Sequence, residues 1–137
     1  MLEAAAAVHP RPKLWGVSVL TSLGPEDLHA LHPKASVEPM VLRLAKLGAA
    51  HGMDGTICSG REAPALLKAL GEKACLITPG IRPAEADLHD QKRSVTPAQA
   101  ARLGIRYAVV GRPITKAESP LRAAQDILSE MLAAGPS

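Results

Sequence analysis

Two stretches of the sequence carry the residue types that bind anions. Cys75–Val95 reads C-L-I-T-P-G-I-R-P-A-E-A-D-L-H-D-Q-K-R-S-V, and Tyr107–Pro113 reads Y-A-V-V-G-R-P. Each begins as an apolar run without polar alternation, the pattern of a strand buried on both faces. Each ends in glycine closely followed by arginine, Gly80 with Arg82 and Gly111 with Arg112. Glycine lets a ligand approach the backbone, and a guanidinium offers paired N–H donors to phosphate oxygens, so this pairing at a strand's carboxyl end suits a phosphate. Two further apolar runs end in Thr21-Ser22 and Ser59-Gly60, and Gln91 adds a neutral donor and acceptor within D-Q-K-R. Taken singly, each has a plainer reading. The glycines make turns, Arg82 and Arg112 are solvated cations, Thr21 and Ser22 satisfy loop backbone, and Gln91 is surface.

The elements that must position these residues alternate along the chain. Alanine-rich Met1–Val8 favours a helix, stopped by Pro10 and Pro12. Lys13–Leu20 is a strand, Glu26–Leu31 one or two helical turns, and Val37–Ala50 an amphipathic helix with Val41, Leu44, Ala45 and Leu47 on one side. Asp54–Ser59 is a second strand, Glu62–Leu70 a helix closed by Gly71, and Cys75–Thr78 a third strand. After a long polar loop to Val95, Thr96-Pro97 has the form of an N-cap with proline at the first helical position, and that helix ends at Gly104. Tyr107–Val110 is the fourth strand. Pro120 opens a last helix with Leu121, Ala124, Ile127, Leu128 and Met131 as one apolar stripe.

Strands alternating with helices predict an α/β fold, a parallel sheet with right-handed crossovers. All four strand exits then share one edge, and ligands bind at that edge. Four units make either a small open sheet or half of an eightfold barrel, since a complete barrel needs about 250 residues. Two Gly-Arg exits in consecutive units favour the phosphate reading, because barrel phosphate sites often use the last two loops.

Composition narrows the function classes. A chain of 137 residues, 47% apolar, is sized for one globular domain. No apolar run is long enough to cross a bilayer, so no membrane partner is expected. The net charge of +3 is spread without a basic block, and Trp15 and Tyr107 are the only aromatic residues, which argues against a nucleic-acid surface. Cys58 and Cys75 lack C-x-x-C spacing and read as buried reduced thiols. The first residues do not resemble a signal peptide, so a cytoplasmic location is expected. His29 and His32 form an H-x-x-H without a third ligand, and no metal is assigned.

Several motifs together resemble a known family. L-T-S at 20–22, D-G-T-I-C-S-G-R-E at 54–62, T-P-G-I-R-P at 78–83, D-Q-K-R at 90–93 and G-R-P-I-T at 111–115 are similar, in order and spacing, to the carboxyl-terminal half of bacterial orotidine 5'-phosphate decarboxylases. The resemblance implies a partial (β/α)8 barrel holding the last four βα units. It makes 1–137 a single partial-barrel domain, with 1–9 the end of the preceding helix and 13–134 the four units. It also implies a lyase of pyrimidine biosynthesis that converts orotidine 5'-phosphate to uridine 5'-phosphate and CO2 with no metal or organic cofactor. By position, Thr21 would contact the pyrimidine, and Arg82, Gln91, Gly111 and Arg112 would hold the 5'-phosphate side.

The family's catalytic Asp-x-Lys-x-x-Asp would lie upstream of residue 1. The only Asp-x-Lys present is Asp90-Gln91-Lys92, and Val95 stands where the second Asp would be. Nucleotide binding without turnover is therefore expected of this chain alone. The rivals are a non-catalytic phosphate-binding half-barrel that self-associates and a purely structural fragment. A half-barrel has two open strand edges, which predicts a homo-oligomer formed through them.

Overall fold

The computed structural model describes residues 1–31, 33–84 and 94–135. A short helix α1 (Leu2–Ala6) leads into β1 (Trp15–Val17), α2 (Pro25–Leu31) and α3 (Val37–Ala50). Then come β2 (Gly55–Ile57), a 3-10 turn (Gly60–Glu62), α4 (Ala63–Leu70) and β3 (Leu76–Pro79). The chain continues through α5 (Pro97–Arg102), β4 (Tyr107–Val109), α6 (Arg112–Thr115) and α7 (Pro120–Ala134). The strands form one sheet in the order β1-β2-β3-β4, every neighbouring pair parallel. Sequential parallel order places all four carboxyl ends on one edge, as the alternation of elements predicts.

Local chemistry sets the helix bounds. Ser59 and Glu62 form a reciprocal capping box: the Ser59 hydroxyl accepts from Arg61 N, and the Glu62 carboxylate accepts from Ser59 N at 3.0 Å. Thr96 and Gln99 do the same for α5, with Pro97 at its first position. Gly71 and Gly104 end α4 and α5 at φ +95° and +71°, backbone that a side chain would strain.

The helices lie on one face of the sheet. Val41 and Ala45 of α3, Ala63 and Leu66 of α4 and Ala100 of α5 pack with Leu76 of β3 in one buried cluster. Full burial of a side chain such as Leu66 contributes about 1.5–3 kcal/mol. The register places Val17, Ile57, Ile77 and Tyr107 in one row on the opposite face. On that face the Trp15 and Tyr107 rings meet with centroids 5.6 Å apart, although they come from the two outermost strands. Those strands would stand about 14 Å apart in a flat sheet, so the sheet curves toward this face and makes it concave. Gly55 beside Trp15 carries no side chain there, and a Cβ would lie 3.0 Å from Ile77 Cδ1.

Three sequence expectations are corrected. The strands are shorter than their apolar runs. Moreover, β4 is not buried on both faces: Tyr107 and Val109 are exposed while Ala108 packs on the core, because the concave face has no covering layer among the described residues. The α7 stripe divides in the same way. Ile127 is buried, Ala124 and Met131 are half-buried, and Leu121 and Leu128 are exposed. The short α6 lies outside those expectations, since four residues beginning R-P show no helical period.

At the edge opposite the strand exits, Arg11 clamps the chain before β1 to the start of β2. Its guanidinium donates to the Asp54 carboxylate and to the carbonyls of Ala6 and Gly52, while Leu14 N donates to the same carboxylate at 2.7 Å. The hydrogen bond from Arg11, followed by that from Leu14 N, holds the Asp54 pKa below its ordinary value. A depressed carboxylate stabilises the fold above its unfolded pKa, and that stabilisation is lost as pH falls through the folded pKa. Asp54→Asn should therefore melt earlier than wild type at neutral pH, with the gap closing as pH falls below the ordinary carboxylate range. A melting gap that stayed constant over that range would exclude this role for Asp54.

Candidate functional site

The carboxyl edge of the sheet brings together residues from three of the strand exits singled out in the sequence. Thr21, four residues beyond β1, is buried. Arg82, three beyond β3, is also buried, with 6% of its surface exposed. A cation so far from water is costly unless its surroundings compensate, which separates it from an ordinary surface arginine. Its position is fixed by the backbone: Ile81 forms a parallel bridge with Val95, and Arg82 N donates to Val95 O at 3.1 Å. Val95 is thereby held beside the β3 exit. Gln91 lies outside the described residues, as does His32.

Gly111 and Arg112 follow β4 directly. A Cβ at Gly111 would meet nothing within 4 Å, so its backbone faces open space. Arg112 is half-buried and begins α6, whose first turn closes with Ile114 N donating to Gly111 O at 2.9 Å. Gly80 has φ +78°, so β3 turns through a conformation that glycine adopts without strain.

The β2 exit has a different part. A Cβ at Gly60 would lie 2.5 Å from Val95 Cγ2, so Gly60 is glycine because the Val95 side chain packs against it. Its use is close packing. Gly60→Ala should destabilise the protein by about 1–3 kcal/mol, lowering the midpoint of thermal unfolding by several degrees. Trimming Val95 to Ala in the same chain should recover part of that loss, and a strictly additive double variant would rule out the contact as the cause.

Two polar residues here were not singled out as site-forming. Ser18 Oγ donates to Ile57 O at 2.9 Å and ties the β1 exit to β2. Glu62, buried, fixes the turn after β2 through its capping box, and the signal for it was the S-x-x-E spacing from Ser59. A hollow of about 440 Å³ opens between α4 and α5, lined by Arg61, Ser94, Gln99 and Arg102 among others. None of Thr21, Arg82, Gly111 and Arg112 lines it. Among the described residues, no group of three His, Cys, Asp or Glu side chains could hold a metal ion, and no helix is long and apolar enough to cross a membrane.

The arrangement offers two guanidinium groups, an open glycine backbone and a buried threonine on one edge, chemistry suited to an anionic ligand with a polar ring. Comparison with known proteins gives a consistent picture. Residues 1–127 match the family model described as "Orotidine 5'-phosphate decarboxylase / HUMPS family". The chain is 52% identical over 135 residues to an orotidine 5'-phosphate decarboxylase of Hahella chejuensis, covering 96% of this chain and 58% of that protein. It is 47% identical over 125 residues to that of Hydrogenovibrio crunogenus, covering 91% and 53%.

Among solved structures, the orotidine 5'-phosphate decarboxylase from Lactobacillus acidophilus superposes with a TM-score of 0.77 at 35% identity, covering 96% of this chain and 58% of that one. The orotidine 5'-monophosphate decarboxylase from Metallosphaera sedula, at 18% identity and a TM-score of 0.56, shares the fold. These neighbours are (β/α)8 barrels, and this chain spans about half of each. It likewise spans about half the length of the curated relatives it matches.

Proposed function

The chain belongs to the orotidine 5'-phosphate decarboxylase / HUMPS family, and from that membership we propose that it is the carboxyl-terminal half of such an enzyme, carrying its nucleotide-phosphate contacts. Arg82 and Arg112 bind the 5'-phosphate of orotidine or uridine 5'-phosphate, Gly111 admits the phosphate to the backbone, and Thr21 meets the pyrimidine. Gln91 completes the phosphate side. The observation that carries this reading is the buried guanidinium of Arg82 at the β3 exit, on the same edge as Gly111 and Arg112.

The chemistry divides accordingly. Decarboxylation that leaves a carbanion at pyrimidine C6 needs a proton donor and charged groups arranged around that carbon. The Asp-x-Lys-x-x-Asp pattern of the family does not occur in these 137 residues. Phosphate contacts remote from the reacting carbon supply binding energy that orients the nucleotide. Calorimetric titration of uridine 5'-phosphate into the purified chain tests the reading. Saturable heat that inorganic phosphate competes away is expected, and a titration without binding heat up to millimolar nucleotide would overturn it.

A further inference from the structure

We propose that the hollow between α4 and α5 is a second ligand site, separate from the strand exits, which takes a small phosphate monoester carrying an apolar group. This goes beyond the nucleotide reading above and does not depend on it. Charge, shape and fixed walls each point to that ligand.

The charge comes from two arginines. Arg61 stands in the 3-10 turn that leads into α4, and Arg102 is the last residue of α5. Both are exposed, and among the described residues neither guanidinium is taken up by a carboxylate. No Asp or Glu among the described residues lines the hollow. Glu62, beside Arg61 in sequence, is buried and accepts from Ser59 N instead. Two planar N–H forks without a local counter-charge match a dianion, and phosphate oxygens accept such forks in pairs. Gln99 adds a neutral donor, because its Oε1 accepts from Thr96 N and its amide N–H groups are left to face the hollow.

The shape suits a small organic molecule. A volume of about 440 Å³ lies within the usual span of such sites, about 300–1,000 Å³. Pro64, Val95 and Leu103 supply apolar lining between the charged groups. A bare ion would leave that lining wet, whereas an apolar group attached to the phosphate covers it and gains from its burial.

The walls are fixed by contacts already described. The capping box of Ser59 with Glu62 sets the turn that carries Arg61, and that of Thr96 with Gln99 sets the start of α5. Between them, Val95 is seated against Gly60 and bonded to Arg82 N. The hollow therefore exists before a ligand arrives, which keeps the ordering cost of binding small. It is built by the second and third strand-and-helix units, away from the outer strands β1 and β4.

Phenyl phosphate has both parts and is the probe, titrated into the 14.3 kDa chain while amide resonances are followed by NMR. Saturable shifts at Arg61, Gln99 and Arg102 are expected. Arg61→Ala and Arg102→Ala should each weaken binding about threefold or more, and the double variant about tenfold or more. Lys46→Ala removes an exposed cation of α3 that does not line the hollow, and should bind as wild type does. Phenol should give no saturable shift, inorganic phosphate should bind more weakly than phenyl phosphate, and lowering the pH through about 6, which takes one charge off the monoester, should weaken binding. The proposal is overturned by an absence of saturable shifts up to about 10 mM probe, by shifts confined to Thr21, Gly111 and Arg112, or by equal losses at Lys46 and the two arginines. The shift map of the wild-type chain decides the matter even if a variant fails to fold. Calorimetry with uridine 5'-phosphate reports separately on the strand exits.

Discussion

Replacing Arg82 with alanine should weaken uridine 5'-phosphate binding by about 10- to 100-fold, the largest loss expected from any single side chain described at the carboxyl edge. The size follows from burial. A charge-assisted hydrogen bond to phosphate is worth about 1.5–3 kcal/mol, and screening by water, which reduces that figure for exposed pairs, is small where only 6% of the residue is accessible. Arg82→Lys should recover part of the loss, because an ammonium keeps the charge but not the planar fork. Arg112→Ala, at a half-buried position, should cost less. Arg106 supplies the control, since it is exposed and precedes β4, at the far edge of the sheet. Its alanine variant should bind as wild type does. Equal losses at Arg82 and Arg106 would mean that only net charge is being read, and the site assignment would fail.

Decarboxylation of orotidine 5'-phosphate by the purified 137-residue chain should be indistinguishable from the buffer blank. General acid catalysis supplies about 10²–10⁴ in rate, and one preorganised electrostatic contact about 10²–10³. Without the lysine and carboxylates of the family pattern, a deficit on the order of 10⁵-fold or more follows. Absorbance assays at high enzyme concentration measure it directly. Turnover above the blank that follows the protein through purification and is lost with Arg82→Ala would overturn the division of chemistry proposed here.

Much of the architecture is legible in the sequence because the deciding interactions are local. Val37–Ala50 has the bounds that its sequence predicts, since its apolar spacing and the His51-Gly52 stop all lie within one stretch. Thr96-Pro97 announced α5 for the same reason, and the capping box through Gln99 confirmed it. Turn chemistry at Gly71 and Gly104 was equally plain. Local pattern did less well wherever burial depends on a distant neighbour. The run Tyr107–Val110 is apolar throughout, yet only the register with β3 tells which of its side chains reach the core and which stay on the open concave face. Leu121 and Leu128 share a period with Ile127, but whether anything covers them depends on what lies beyond β4. The exits that carry Thr21, Arg82, Gly111 and Arg112 were found from residue type and order. Burial of Arg82 is not legible in the sequence, because residue type and order do not say what packs over a side chain.

The ring contact across the concave face makes this chain its own optical gauge. With one tryptophan, one tyrosine and no phenylalanine, all of its intrinsic emission originates from the pair that spans the sheet. At a centroid separation of 5.6 Å, light absorbed by Tyr107 passes to Trp15 efficiently, and flattening or splaying of the strands separates donor from acceptor. The ratio of tyrosine to tryptophan emission therefore follows the curvature of the sheet without any label. The wavelength of the tryptophan band independently follows how wet the half-exposed indole is.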